Sequence, residues 1–208
     1  MPAPSEDEQY RLCRHLFESF APKPVTIRTL DPGGDKKLPF SPINETNPFL
    51  GWRGIRFTMD HPEIFLTQLR ALLRANYGLN NLKILLPMVS RTNEIDKTLE
   101  LMNRAYLDLT TDNQVAAKPQ IGALIEVPSA VYLIDALSTR VDFFSIGTND
   151  LTQYVLAVDR TNPHVQSFYD CLHPAVVHVM HDIVRKAHRQ NKTVGVCGEM
   201  AGEPASAR

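Results

Sequence analysis

An incomplete (β/α)8 barrel of the TIM type, a parallel α/β fold, is what this 208-residue sequence predicts. Three observations predict it. Short apolar runs without polar alternation recur between amphipathic helical segments, the pattern of parallel strands buried on both faces. Arg28, Glu126, Asn149, Asp150 and Cys197 stand at or near the carboxyl ends of those runs, the edge where parallel α/β folds bind ligands. About five convincing runs are present where a closed barrel takes about eight. An open doubly wound sheet fits the same alternation, but four strands contributing to one edge favour the barrel.

Each element has its own signal. Residues 5–19 place Tyr10, Cys13, Leu16 and Phe17 at helical spacing, and Ala21-Pro22-Lys23-Pro24 ends that helix. VTIRTL (25–30) reads as a strand rich in β-branched residues. Residues 31–50 carry four prolines and two glycines and predict a long loop, ordered or disordered, with a possible strand near 51–57. Residues 60–76 show Asp60 as a candidate N-cap, an early Pro62 and a Leu/Ile/Phe stripe, which predicts a helix. KILLPM (83–88), IGALIEV (121–127), VDFFSIG (141–147) and TVGVC (193–197) predict strands. Helices are predicted over 92–109, 129–137, 151–157 and 174–190.

Composition bounds the function. Twenty-two Lys+Arg against 23 Asp+Glu leave a net charge of -1, with no long-range field to draw nucleic acid or acidic lipid. No apolar run approaches the ~20 residues of a membrane span. The acidic start, MPAPSEDEQY, is unlike a signal peptide, which predicts a cytoplasmic protein. Cys13, Cys171 and Cys197 are odd in number and far apart, against a disulfide framework.

Glu126 and Asp150 end successive apolar runs and are the hard oxygen donors that Mg²⁺ prefers. The alternative is that Glu126 pairs with an arginine and Asp150 caps the following helix. Arg28, Arg53, Arg56 and Arg160 offer guanidinium forks that match phosphate and carboxylate oxygens, although any one of them also fits a structural ion pair. The apolar neighbours Val25, Ile27 and Leu30 predict that Arg28 is not exposed. Gly147-Thr148-Asn149-Asp150 opens a helix after a strand, so its N–H groups could cradle a phosphate, as could Gly33-Gly34. Neither matches a nucleotide-binding fingerprint. Cys197 fits a small core residue or, at a strand end among glycines, a proton donor. His178, His181, His188 and Asp182 share a helix face, where a solvated, ion-paired role outweighs metal binding.

The segments VTIRTLDPGGDK, NPFLGWRGIRF, IGALIEVPSA, VDFFSIGTNDLTQYVLAVDR, LHPAV and GVCGEMAG, in that order, resemble the C-terminal phosphoenolpyruvate-binding barrel of the phosphoenolpyruvate-protein phosphotransferases, Enzyme I of the phosphotransferase system. IEVPSAVYL and YDCLHPAV are most similar to the nitrogen-regulatory paralogue. Pyruvate phosphate dikinase and phosphoenolpyruvate synthase share the barrel and are the alternatives, with a non-catalytic binding or dimerisation module as a third. The resemblance implies Glu126 and Asp150 as Mg²⁺ ligands. It implies Arg28, Arg53 and Arg160 on the phosphate and carboxylate of phosphoenolpyruvate, and Gly147, Thr148 and Asn149 at the phosphoryl group. Cys197 matches the family cysteine that protonates the enolate as pyruvate forms. The implied partner is a small phosphocarrier protein of the HPr kind, reached through a homodimeric parent enzyme. The phospho-accepting histidine of the family lies in a separate domain with a Ser-His dipeptide, and none occurs here. Residues 1–208 are therefore expected to be part of that barrel, lacking its first strand and last βα units, and inactive in autophosphorylation alone.

Overall fold

In the computed structural model, residues 3–34, 44–110 and 117–203 are described below. The chain divides into two compact units, residues 1–87 with 96–121, and residues 88–95 with 122–208.

The first unit opens with α1 (Glu6–Phe20), whose amino end is closed by a capping box: Ser5 Oγ accepts from Glu8 N, and the Glu8 carboxylate accepts from Ser5 N at 2.8 Å. The hydrogen bonds that the Glu8 carboxylate accepts from Ser5 N and Ser5 Oγ hold its carboxyl below the usual carboxylate range. β1 (Val25–Arg28) and β2 (Leu82–Leu86) pair in parallel, Val25 opposite Leu82 and Arg28 opposite Leu85. Between them come α2 (Ile55–Asp60) and α3 (Pro62–Asn76). Helix α3 presents Phe65, Leu66, Leu69, Leu72 and Leu73 to the core, as its apolar stripe dictates. Its outer face pairs Arg70 and Arg74 with Glu6 of α1 at 2.8 and 2.6 Å. α4 (Thr92–Thr110) follows β2 and belongs to this unit from Asp96 onward; its first turn belongs to the second unit, where Glu94 accepts from the backbone N–H groups of Ser90 and Arg91.

The second unit is built on β3 (Gln120–Ile125), β4 (Phe143–Gly147) and β5 (Thr193–Cys197), whose first two residues of β3 belong to the first unit. β4 runs parallel to both neighbours, with Ile125 opposite Ile146 and Gly147 opposite Cys197. α5 (Pro128–Tyr132) and α6 (Ile134–Ser138) follow β3, α7 (Thr148–Leu156) follows β4, and α8 (Pro174–Arg189) leads into β5. The class is therefore the predicted one, parallel α/β of the incomplete barrel kind, with β4 buried along its whole length. Among the described residues no helix is long and apolar enough to cross a membrane.

Four sequence expectations are corrected. No strand forms over 51–57: Pro48–Leu50 is a 3-10 turn and Ile55 already begins α2. The Phe57 ring stacks on His61 at 4.3 Å and tilts against Trp52, contacts that a helical turn supplies and an extended chain does not. Asp60 does not cap α3. It ends α2 and accepts from Trp52 Nε1 at 2.7 Å, while His61 takes the cap position without a side-chain bond to α3 and Pro62 fills the first turn. The helix expected over 129–137 breaks at Leu133, where Lys186 Nζ donates to the Val131 carbonyl. Arg28 is exposed, its side chain 39% accessible, because Thr26 and Arg28 alternate outward from Val25 and Ile27. Of the loop predicted over 31–50, residues 35–43 lie outside the described residues.

Candidate functional site

The predicted site residues fall into two groups. In the first unit, Asp31 is the common partner of two arginines. Its carboxylate receives Arg53 Nη2 at 3.0 Å and Nε at 3.3 Å, and Arg28 Nη1 lies 3.5 Å from the same Oδ2. The side chains of Arg53 and Asp31 are each 1% exposed, so the fork is seated in the interior, and Arg28 reaches the pair from solvent. Gly33 and Gly34 are explained by this seat. Both have positive φ, and a Cβ on Gly33 would stand 2.8 Å from Arg53 Cβ. Arg56 donates to the carbonyls of Leu50 and Gly51 and is a loop fastener.

In the second unit, the remaining residues gather at the carboxyl ends of β3, β4 and β5. Glu126 directly follows β3 and is 2% exposed; its Oε1 accepts from Met88 N at 2.7 Å. Ile125 pairs with Ile146, so Glu126 comes beside Gly147. A Cβ there would stand 2.7 Å from Glu126 Oε2 and 3.0 Å from Glu126 Cβ, so the close approach of the carboxylate requires glycine. Gly147 leads straight into α7 and leaves its first turn without a side-chain cap. Asp150, 5% exposed, is inside that turn and is not the cap. Buried carboxylates thus stand at the ends of two adjacent strands.

Three side chains around α7 are held from elsewhere in the unit. Asn149 Oδ1 accepts from Glu199 N at 3.0 Å, and its carbonyl accepts from Tyr169 Oη at 3.2 Å. Burial pushes the Tyr169 phenol up. Thr148 Oγ1 donates to the Cys197 carbonyl at 2.8 Å, tying α7 to the end of β5. Ala157 takes the left-handed conformation that ends α7, and Arg160 N returns to donate to Gln153 Oε1 at 3.1 Å. Cys197 is half-buried. Its thiol donates to the Ile146 carbonyl at 3.4 Å, and Ser145 Oγ donates to its sulfur at 3.5 Å.

Asp31, Met88, Ser145 and Tyr169 carry no signal of their own in the sequence: Met88, Ser145 and Tyr169 act through partners distant in the chain, and Asp31, although close to Arg28, is fixed by Arg53, 22 positions on. His178 and Asp182 stand 4.0 Å apart on an open face of α8, with Arg185 on Asp182 at 2.9 Å, a surface ion cluster. Among the described residues no three His, Cys, Asp or Glu side chains cluster as a metal-ligand set. The buried acids at this edge are Glu126, directly after β3, and Asp150, in the first turn after β4, and carboxylates are the oxygen donors that suit Mg²⁺, which completes its shell with water and substrate oxygens.

Parallel strands whose carboxyl ends carry buried acids, an amide and an uncapped helix terminus mark a barrel-type α/β protein of the ligand-binding kind. The malate synthase of Haloferax volcanii has a similar fold, with a TM-score of 0.56 at 12% identity over 95% of this chain and 50% of that one. The chain belongs to the family of the PEP-utilising enzyme, PEP-binding domain, whose model matches residues 1–208. It is 52% identical over 202 residues to the phosphoenolpyruvate-dependent phosphotransferase system protein of Salmonella typhimurium, covering 97% of this chain and 27% of the relative. To the phosphoenolpyruvate-protein phosphotransferase of Bacillus subtilis it is 43% identical over 203 residues, covering 96% of this chain and 35% of the relative. The chain thus spans roughly a quarter to a third of the length of these relatives.

Proposed function

We propose that this chain is the part of a phosphoenolpyruvate-protein phosphotransferase that binds phosphoenolpyruvate and Mg²⁺, and that the parent enzyme passes the phosphoryl group to a histidine of another domain and on to a small phosphocarrier protein. The observation that carries the reading is the placement of two buried carboxylates, Glu126 and Asp150, at the carboxyl ends of adjacent parallel strands in a chain of this family. They are the residues that would hold the ion. When bound, the ion would neutralise charge on the phosphate and on the developing enolate.

The chain's own groups divide the remaining work. In the second unit Arg160 holds phosphate or carboxylate oxygens; in the first, Arg28 and Arg53 are the guanidinium groups suited to such oxygens, and the Arg53 fork is already fixed side-on by Asp31. The first-turn N–H groups of α7 and the Asn149 amide receive phosphoryl oxygens, favoured by the helix terminus. Departure of the phosphoryl group leaves an enolate. The Cys197 S–H bond then breaks, its proton forms the new C–H bond at the methylene carbon, and pyruvate and a thiolate result. This chain has seven histidines and no Ser-His dipeptide, so phosphoenolpyruvate alone leaves it unphosphorylated.

The test is calorimetric titration of the chain with phosphoenolpyruvate, with and without Mg²⁺, for the wild type and Glu126→Gln. Binding that needs Mg²⁺ and is lost in the folded variant is expected. Equal binding by the variant in the presence of Mg²⁺ overturns the assignment of Glu126.

A further inference from the structure

Resting on the reading of Cys197 as the enolate's proton donor, we propose that Ser145 is a positioning residue whose hydroxyl stabilises the thiolate left on Cys197 after proton transfer. A thiol has one proton. That proton is directed at the Ile146 carbonyl, 3.4 Å from Sγ, so at the 3.5 Å contact between Ser145 Oγ and Sγ the hydroxyl is the donor. The two contacts respond oppositely when the proton leaves. The Ile146 carbonyl then faces a negative sulfur and opposes it, whereas the Ser145 O–H becomes a charge-assisted donor and strengthens. Ser145 is therefore worth more to the thiolate, and to the transition state leading to it, than to the resting thiol.

The geometry supports this role. Ser145 is a buried polar residue in β4, 8% exposed, and it pairs with Gly195, two residues before Cys197 on β5. A Cβ on Gly195 would stand 3.9 Å from Ser145 Oγ, an ordinary contact, so the hydroxyl lies directly beside that strand position. Thr148 Oγ1 fixes the Cys197 carbonyl from the other side. The cysteine backbone is thus held by one hydroxyl and its sulfur is addressed by another.

The test uses this chain and needs no turnover. Alkylation of Cys197 by iodoacetamide near neutral pH is followed by peptide mass spectrometry, which separates it from Cys13 and Cys171, in wild type, Ser145→Ala and Ser145→Thr. Loss of one hydrogen bond to a charged sulfur should slow alkylation about tenfold in Ser145→Ala, with recovery in Ser145→Thr. Wild-type alkylation in a folded Ser145→Ala chain overturns the proposal. So does slowing in Ser145→Thr equal to that in Ser145→Ala, which marks a packing effect. In the parent enzyme, exchange of pyruvate methyl protons should fall in Ser145→Ala while phosphoenolpyruvate binding is kept. Wild-type exchange in Cys197→Ser would instead remove the donor role of Cys197, an outcome that the alkylation contrast does not depend on.

Discussion

The backbone N–H of Met88 points at Oε1 of Glu126 across 2.7 Å, and Met88 adopts φ +58 to do so. A left-handed conformation at a buried non-glycine residue costs about 1–3 kcal/mol and persists where its surroundings impose it. Here the direction of one amide orients a carboxylate that has to meet a cation with the right oxygen. The Met88 side chain is itself buried, and its sulfur lies 3.9 Å from Tyr154 Oη.

Gly147→Ala is the sharpest test of that carboxylate's position. The new methyl would stand 2.7 Å from Glu126 Oε2, so either the strand end or the carboxylate moves. A stability loss of about 1–3 kcal/mol is expected for such overpacking. Mg²⁺-dependent phosphoenolpyruvate binding should fall by about tenfold or more, equivalent to about 1.4 kcal/mol. Calorimetry and thermal melting read the two effects separately; unchanged binding would show that Glu126 tolerates displacement.

Asp31→Ala removes the shared partner of Arg53 and Arg28. Breaking a buried ion pair from one side costs about 3–5 kcal/mol. Urea denaturation should show a loss of this size, and the Asp31→Ala/Arg53→Met double variant should recover part of it. Additive losses would mean that the pair is not coupled.

Cys197→Ser separates proton transfer from binding. Mg²⁺-dependent phosphoenolpyruvate binding should survive, since neither carboxylates nor arginines are touched. In the parent enzyme, exchange of pyruvate methyl protons with deuterated solvent should collapse, because a serine hydroxyl is a far weaker acid than a thiol.

Alkaline pH should act on the first unit through Tyr106. Its hydroxyl is buried with no hydrogen-bond partner among the described residues, and burial pushes the phenol up. A folded-state value above the unfolded value of about 10 means that the native chain favours the neutral phenol. This contribution is complete below that value and is lost as pH rises above it. Tyr106→Phe should therefore raise the midpoint of alkaline unfolding, and near neutrality it should be neutral or stabilising, because it removes a buried hydroxyl that has no partner among the described residues. Absorbance at about 295 nm against pH, alongside circular dichroism, reports it. An unmoved midpoint would place that phenol in contact with water.

β2, β3 and β4 are legible because burial on both faces writes an apolar run, β4 being the clearest case, whereas the more exposed β1 and β5 are legible from their β-branched residues. Residues 51–60 are not. Trp52, Ile55 and Phe57 suit a strand, but the ring contacts and the Trp52–Asp60 hydrogen bond that select a helix join residues only through the folded turn. The same distinction runs through the site. Glu126 and Asp150 announce themselves as acids at the ends of apolar runs. Asp31, Met88 and Ser145 are reached from Arg53, Glu126 and Cys197 over 22, 38 and 52 positions of chain, separations at which no local spacing carries a signal.

Helix α7 has only nine residues, yet Asn149, Asp150 and Gln153 all ride on it, and through Gln153 it holds the backbone of Arg160. A rigid rod that short has few ways to move, chiefly a tilt about the Thr148 anchor to β5. Such a tilt would shift the acid, the amide and the hold on the arginine in one stroke. Substitutions on the buried face of α7, at Leu151 for example, should then weaken affinity for cation and anion in step, as detuning a single lever would, and leave their ratio almost constant.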